Sequence, residues 1–142
     1  MVVYNKKQIY ALWLQAWNED ISLIDNITAA DCTVHYVRRM DGKSLGDLYG
    51  GEALKEVIKD CYTFFNDVNL SAEMEPIING PYVLARWNFT GVYKGGIAEA
   101  KVKAGEKIRL KGMDLFLIKN GKIKNYWFSW DRAQLIEQLD LL

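Results

Sequence analysis

Four stretches of this sequence place a polar or titratable side chain where it could serve a ligand or move a proton. His35 is its only histidine, in the segment Cys32-Thr33-Val34-His35-Tyr36-Val37. An imidazole can donate to or accept from a substrate oxygen, so His35 is a candidate acid or base, with a hydrogen-bonded structural role as the alternative. Strand alternation puts His35 on one face with Thr33 and Val37, and Tyr36 beside Val34 on the other, where Tyr36 is a candidate ligand contact. In Val83-Leu84-Ala85-Arg86-Trp87-Asn88, Arg86 and Asn88 share a face and could bind a polar ligand group. Turned inward, Arg86 would need an acidic partner, and Asp114 is available. Asp114 interrupts the apolar run Met113-Asp114-Leu115-Phe116-Leu117. A carboxylate there either points outward with Gly112 and Phe116 or, if buried, has its pKa raised into the range useful for acid–base work. Asp131-Arg132-Ala133-Gln134 reads as a helix cap with a capping-box glutamine, and Asp131 is also a candidate proton carrier.

Just before Asp131 runs Gly121-Lys122-Ile123-Lys124-Asn125-Tyr126-Trp127-Phe128-Ser129-Trp130. Alternation sets Lys124, Tyr126, Phe128 and Trp130 on one face, and Ile123, Asn125, Trp127 and Ser129 on the other. If the first set lines a pocket, that pocket is aromatic, with the Tyr126 hydroxyl as its polar handle. The second set suits a sheet-to-sheet interface with another copy of the chain.

The elements that must position these residues are legible from periodicity. Ile9, Leu12, Trp13, Ala16 and Trp17 predict an amphipathic helix over Lys6 to Trp17. Asp20 caps a second short helix through Ile27. A strand follows at Cys32 to Val37, and the Gly- and Asp-rich stretch Met40 to Gly50 reads as a loop. Leu54, Val57, Ile58, Cys61 and Phe65 predict a third helix from Gly51 to Asn66. Strands are expected at Asn69 to Ile78, Tyr82 to Lys94, Lys107 to Lys119 and Lys122 to Trp130. Asn120-Gly121 between alternating runs is a strong hairpin signal. These strands are roughly twice the usual five or six residues, so the sheet should twist and curve. Arg132 to Leu142 closes the chain as a short helix. The sum is an α+β fold, a single domain over 1–142. Its curved antiparallel sheet forms a cone that three N-terminal helices close around a cavity.

Composition narrows the partners. Aromatic residues make up 13% of the chain, enough to line a pocket for a small hydrophobic or aromatic ligand. Eighteen basic residues balance eighteen acidic ones, which argues against nucleic acid. No apolar run approaches the length of a membrane span, and the N-terminus shows no signal-peptide pattern. Two cysteines without metal-ligand spacing argue against zinc and fit a cytoplasmic protein with reduced thiols.

Several motifs, in this order, resemble the SnoaL-like polyketide cyclases of the NTF2-like (cystatin-like) superfamily. They are Trp17-Asn18-Glu19-Asp20, Ala30-Asp31-Cys32-Thr33-Val34-His35 and Tyr49-Gly50-Gly51-Glu52-Ala53-Leu54. Further along come Gly112-Met113-Asp114-Leu115-Phe116, Gly121-Lys122-Ile123 with Trp127 and Asp131, and the closing Leu135-Ile136-Glu137-Gln138-Leu139. The resemblance covers nearly the whole chain. It implies the NTF2-like cone and a cyclase or isomerase that needs no metal or organic cofactor, working by acid–base catalysis. It also implies that His35 faces the cavity and that Asp131 matches a frequent family aspartate. In the limonene epoxide hydrolase branch, positions similar to Arg86 and Asn88 hold an arginine and an aspartate, and Asn88 cannot serve as that base. Many relatives carry a carboxylate where this chain has Phe128. The alternative is therefore a non-catalytic ligand-binding, accessory or protein-interaction domain on the same scaffold.

Overall fold

The computed structural model describes residues 3–141. Asn5 opens helix α1 (Lys6–Asn18) through a reciprocal capping box with Gln8, each bond 2.8 Å. Asp20 caps a 3-10 turn (Ile21–Leu23) by accepting from Ser22 N, and the turn runs into α2 (Ile24–Ile27). Strands β1 (Thr28–Arg38) and β2 (Ser44–Tyr49) precede α3 (Gly51–Phe64). Then come β3 (Phe65–Ala72), β4 (Ile77–Asn79), β5 (Tyr82–Tyr93), β6 (Lys107–Lys119), β7 (Lys122–Trp130) and α4 (Arg132–Leu139). The last residue of the expected C-terminal helix, Leu142, lies outside the described residues.

One seven-stranded sheet holds the strands in the order β2-β1-β7-β6-β5-β3, with β4 also on β5. The expected antiparallel meander accounts for most of it, but β1 runs parallel to β7, so the sheet is mixed. The stretch expected as a loop supplies β2, paired with β1 at Thr33–Tyr49 and Val34–Leu48. The strand expected from Asn69 to Ile78 is two strands on the same neighbour, broken before Pro76, which has no N–H to give a ladder. Asn120 and Gly121 both take positive φ, +52° and +71°, as a tight type I′ turn requires.

Two irregularities decide which side chains face inward. Val34 pairs with Leu48 and Val37 with Gly46, so β1 carries one extra residue there. The bulge falls at His35 and Tyr36, and Tyr36 sits at φ +51°. Val34 and Val37 are consequently both buried despite their odd spacing, and Val37 does not share a face with His35 as alternation had it. In β7, Ile123 pairs with Ile118 and Asn125 with Leu117, which leaves Lys124 as the extra residue. Ile123 therefore joins Tyr126 in the core instead of lying on the opposite face.

The helices cover one side of the sheet. Trp13 packs edge-on against Phe116 (ring centroids 5.2 Å apart) and tilted, at 52°, against Tyr126 (4.8 Å), and Tyr10 meets Phe116. Burying such rings is the largest apolar gain available to this core. The core falls into two clusters: one holds Trp13, Val37, Phe116 and Tyr126, the other Cys61, Leu70, Trp87, Phe89 and Leu110. A cavity lies where they meet and draws its walls from both.

Candidate functional site

The floor of that cavity is Asp114. It is only 2% exposed, inward on β6 with Phe116, so the outward reading of this strand face is corrected. Pairing places Asp114 directly between Ala85 of β5 and Phe128 of β7. Its Oδ1 accepts a 2.6 Å hydrogen bond from the Tyr126 hydroxyl. Its Oδ2 is buried without a hydrogen-bond partner. Desolvation raises the carboxyl from its ordinary 3.8 to about 7; the Tyr126 hydroxyl and, to a lesser extent, the indoles of Trp87 and Trp13 pull the other way. The same burial, with Asp114 as neighbour, pushes the Tyr126 hydroxyl far upward, so Tyr126 stays a donor. Tyr10, also raised by burial and by Asp114, adds a second buried hydroxyl nearby.

Around this floor the cavity is apolar and aromatic. Trp17, Trp87, Phe89, Phe128 and Trp130 line it together with Tyr126. The cavity has a volume of about 100 Å³ and opens to solvent. Phe128 stacks on Tyr126 with ring centroids 5.3 Å apart and planes 12° from parallel. The Arg132 guanidinium stands over Trp130, 5.6 Å from its centroid. Gly112 makes room for Trp87: a Cβ there would lie 2.1 Å from that indole's Cζ2 and 2.6 Å from the Ser129 carbonyl. At that strand position only glycine lets the indole cross β6 beside Asp114.

Among the expected site residues, the cavity brings together Asp114, Tyr126, Phe128 and Trp130. The others lie outside its lining. His35 is on the outer face, stacked on Trp127 at 4.6 Å, with Nε2 2.9 Å from Asn125 Oδ1 and Nδ1 3.6 Å from Asp47. The bulge turns Tyr36 to solvent, 79% exposed. Arg86 faces away from the cavity. Its partner is Glu73, at 2.7 Å and shared with Lys111, and not Asp114. Asn88 occupies the same outer row of β5, opposite in direction to the buried Trp87 and Phe89. Asp131 caps α4 through the Gln134 amide at 3.1 Å, while its own N–H goes to the Lys111 carbonyl. That amide is thereby occupied, and the Gln134 carboxamide oxygen makes no return bond, so only half of the expected capping box forms.

The family model of SnoaL-like polyketide cyclases matches residues 7–139. The chain belongs to this family. Among solved structures similar to this SnoaL-like domain is TsrD from Streptomyces laurentii, at TM-score 0.79 and 22% identity over 98% of this chain and 99% of that one. IdmH from Streptomyces antibioticus, a proposed polyketide cyclase, superposes at TM-score 0.81 with 17% identity over 96% and 99% of the two chains. A protein of ketosteroid isomerase-like fold from Catenulispora acidiphila, in complex with trimethylamine, reaches TM-score 0.74 at 16% identity over 97% and 96%. At these identities the likeness shows the NTF2-like fold. No curated protein sequence matches the chain significantly.

Sequence reasoning passed over Trp87 and Trp17 as lining residues, and Asp60, which lines the same cavity. The signal for Trp87 was present: Val83, Ala85, Trp87 and Phe89 are apolar at every second position, while Arg86, Asn88 and Thr90 between them are polar. That alternation marks Arg86 and Asn88 as the outer face. Among the described residues no cluster of three or more His, Cys, Asp or Glu could hold a metal ion, and no helix is long and apolar enough to cross a membrane.

Proposed function

We propose that this SnoaL-like domain binds a small aromatic or polycyclic ketone and that Asp114 moves a proton on it, in a cyclase or isomerase reaction that uses no cofactor. The observation that carries this reading is the Asp114 carboxyl: buried on the wall of an aromatic cavity, with no hydrogen bond closed at Oδ2 although the Trp87 and Trp13 indoles lie near it, and with its pKa raised to about 7. A carboxyl at that pKa supplies both a base and an acid at neutral pH. Ionised, Oδ2 accepts the proton from a carbon next to a substrate carbonyl. The enolate carbon attacks a second carbonyl of the same molecule, and one carbon–carbon bond forms. The protonated Asp114 then returns the proton to the resulting alkoxide oxygen. Tyr126 holds Oδ1 throughout and fixes the direction of Oδ2.

A carboxylate at position 128 would face Asp114 across the ladder. Like charges directly opposite each other repel. Phe128 removes that conflict and keeps the single carboxyl in an apolar wall, so its presence is compatible with chemistry run from the neighbouring strand. It also supports the second reading, a ligand-binding domain without turnover, because it leaves one proton carrier at the cavity floor. Exchange of the α-hydrogens of 2-tetralone in deuterium oxide, followed by NMR, separates the two. Wild-type protein should accelerate exchange over buffer and Asp114→Asn should not. Equal exchange by both proteins sinks the role of Asp114, and binding without any acceleration favours the second reading.

The outer face of the sheet supports association with a second copy. Leu84, Leu115 and Trp127 pair across three strands in one apolar row beside the His35–Trp127 stack. Sedimentation should give twice the mass of 16.3 kDa, and a monomer at micromolar concentration would remove the proposal.

A further inference from the structure

A cavity of about 100 Å³ is too small for the ligand proposed for it, since roughly 150 Å³ is needed to hold a single benzene ring. A wall must move before an aromatic molecule can enter. The lining from β5, β6 and β7 sits in the middle of the sheet, with a hydrogen-bonded neighbour on each side. Arg38, Arg39, Met40 and Leu45 also line the cavity, but they lie at the free end of the β1–β2 hairpin. That end has left the sheet: β1 pairs with β7 only as far as Val34. Both strands of the hairpin are also interrupted at one level. β1 carries its extra residue between Val34 and Val37, with Tyr36 at φ +51°. On β2, Val37 pairs with Gly46 and Arg38 with Ser44, which leaves Leu45 over, and Gly46 sits at φ +69°. Bulges break the ladder and bend the strand.

Beyond these breaks the hairpin tip is held together by its own bonds. The Arg39 N–H donates to the Lys43 carbonyl, the Gly42 N–H to the Arg39 carbonyl and the Arg38 guanidinium to the Gly42 carbonyl, all at 2.8 Å. Among the described residues, one side chain makes every hydrogen bond and ion pair from residues 39–43 to the rest of the fold. Asp60 of α3 accepts from the Met40 N–H at 2.7 Å and faces Arg39 Nε at 3.4 Å. Otherwise Met40 packs against the second core cluster and the Arg132 guanidinium lies against Gly42. We infer that residues 38–45 form a lid over the cavity mouth, hinged at Tyr36 and Gly46 and latched by Asp60, and that its release admits the ligand. This rests on the reading that the cavity takes an aromatic ligand, and not on the role of Asp114.

The two cysteines report the opening. Cys61 is buried on the cavity wall, whereas Cys32 is buried in the first core cluster, away from the cavity. Labelling by N-ethylmaleimide is followed at each cysteine by peptide mass spectrometry. In wild-type protein Cys61 should react roughly tenfold or more faster than Cys32, because a local opening costs less than global unfolding. Asp60→Ala should speed Cys61 by about tenfold or more, the worth of a hydrogen bond to a charged group, with Cys32 unchanged. Arg39→Met should speed it several-fold. Burial and, to a lesser extent, Asp60 push the Cys61 thiol up, so each rate is divided by that of the same variant unfolded in urea; Arg39→Met also leaves Asp60 in place. A lid moving as one piece frees the Met40 amide to hydrogen exchange before the amides of Arg39 and Gly42, whose bonds travel with it. Equal rates at the two cysteines of wild-type protein, a Cys61 rate that neither substitution changes, or equal acceleration of both cysteines in both variants overturns the lid. Exchange of all three amides together means fraying and overturns it too. No ligand takes part, so each of these results leaves the role of Asp114 to the 2-tetralone exchange.

Discussion

Asp114→Asn should make this protein more stable above neutral pH, although it removes a charged group from a hydrogen bond. A carboxyl whose pKa rises from 3.8 in the unfolded chain to about 7 in the fold binds more protons folded than unfolded between those values. Stability therefore falls as pH rises through that window and is lowest above the folded pKa. The full charging cost is about 4 kcal/mol, at 1.36 kcal/mol per pH unit, with about 3 kcal/mol of it lost between pH 5 and pH 8. Asparagine has the same shape, cannot ionise, and keeps an oxygen to accept from Tyr126. Its amide N–H₂ takes the place of Oδ2 and can no longer accept from the nearby Trp87 and Trp13 indoles, at a cost of about 1–2 kcal/mol. The variant should thus be near parity or slightly less stable than wild type at pH 5, and more stable by about 2 kcal/mol at pH 8–9. Urea unfolding from pH 5 to 9, at constant ionic strength, reads both curves. Asp60, raised mainly by burial, adds a slope of the same sign to both proteins and cancels in their difference. Parallel curves for the two proteins, or a variant weaker at pH 9 than at pH 5 relative to wild type, would refute the burial argument.

Further outcomes follow from the same geometry. Tyr126→Phe removes the largest contact favouring the charged form of Asp114, so the pH at which α-hydrogen exchange is half-maximal should move upward; an unchanged midpoint would show that the 2.6 Å bond does not tune the carboxyl. Gly112→Ala drives a methyl into Trp87 and the Ser129 carbonyl, and should cost about 2–3 kcal/mol in urea unfolding. Asp131→Ala should cost about 1 kcal/mol of stability through the lost cap and leave exchange at the wild-type rate; a large loss of exchange would restore Asp131 as a proton carrier.

The fold was legible in the sequence because its periodic signals are long. β6 and β7 run over the residues that alternation predicts, and the helices differ from expectation by a turn or less. The site was legible only in part, because a facing argument fails at a bulge. One extra residue at Tyr36 and another at Lys124 each shift the side chains that follow, and nothing in the residue types announces either. Asp114 shows a different limit. Its polarity alone favours solvent, and what holds it inside is tertiary: the Tyr126 hydroxyl on the next strand and the aromatic rings that Gly112 admits. The neighbours that set its chemistry come from α1, β5 and β7, far apart in sequence.

The central claim is that one cavity carboxyl changes charge near neutral pH. Carbon-13 NMR titration of the aspartate carboxyls, with Asp114→Asn for assignment, tests it most directly. One resonance should titrate near pH 7 and vanish in the variant. If the resonance lost in the variant instead titrates near 4, Asp114 is an ordinary solvated carboxylate and the proposed proton carrier is wrong.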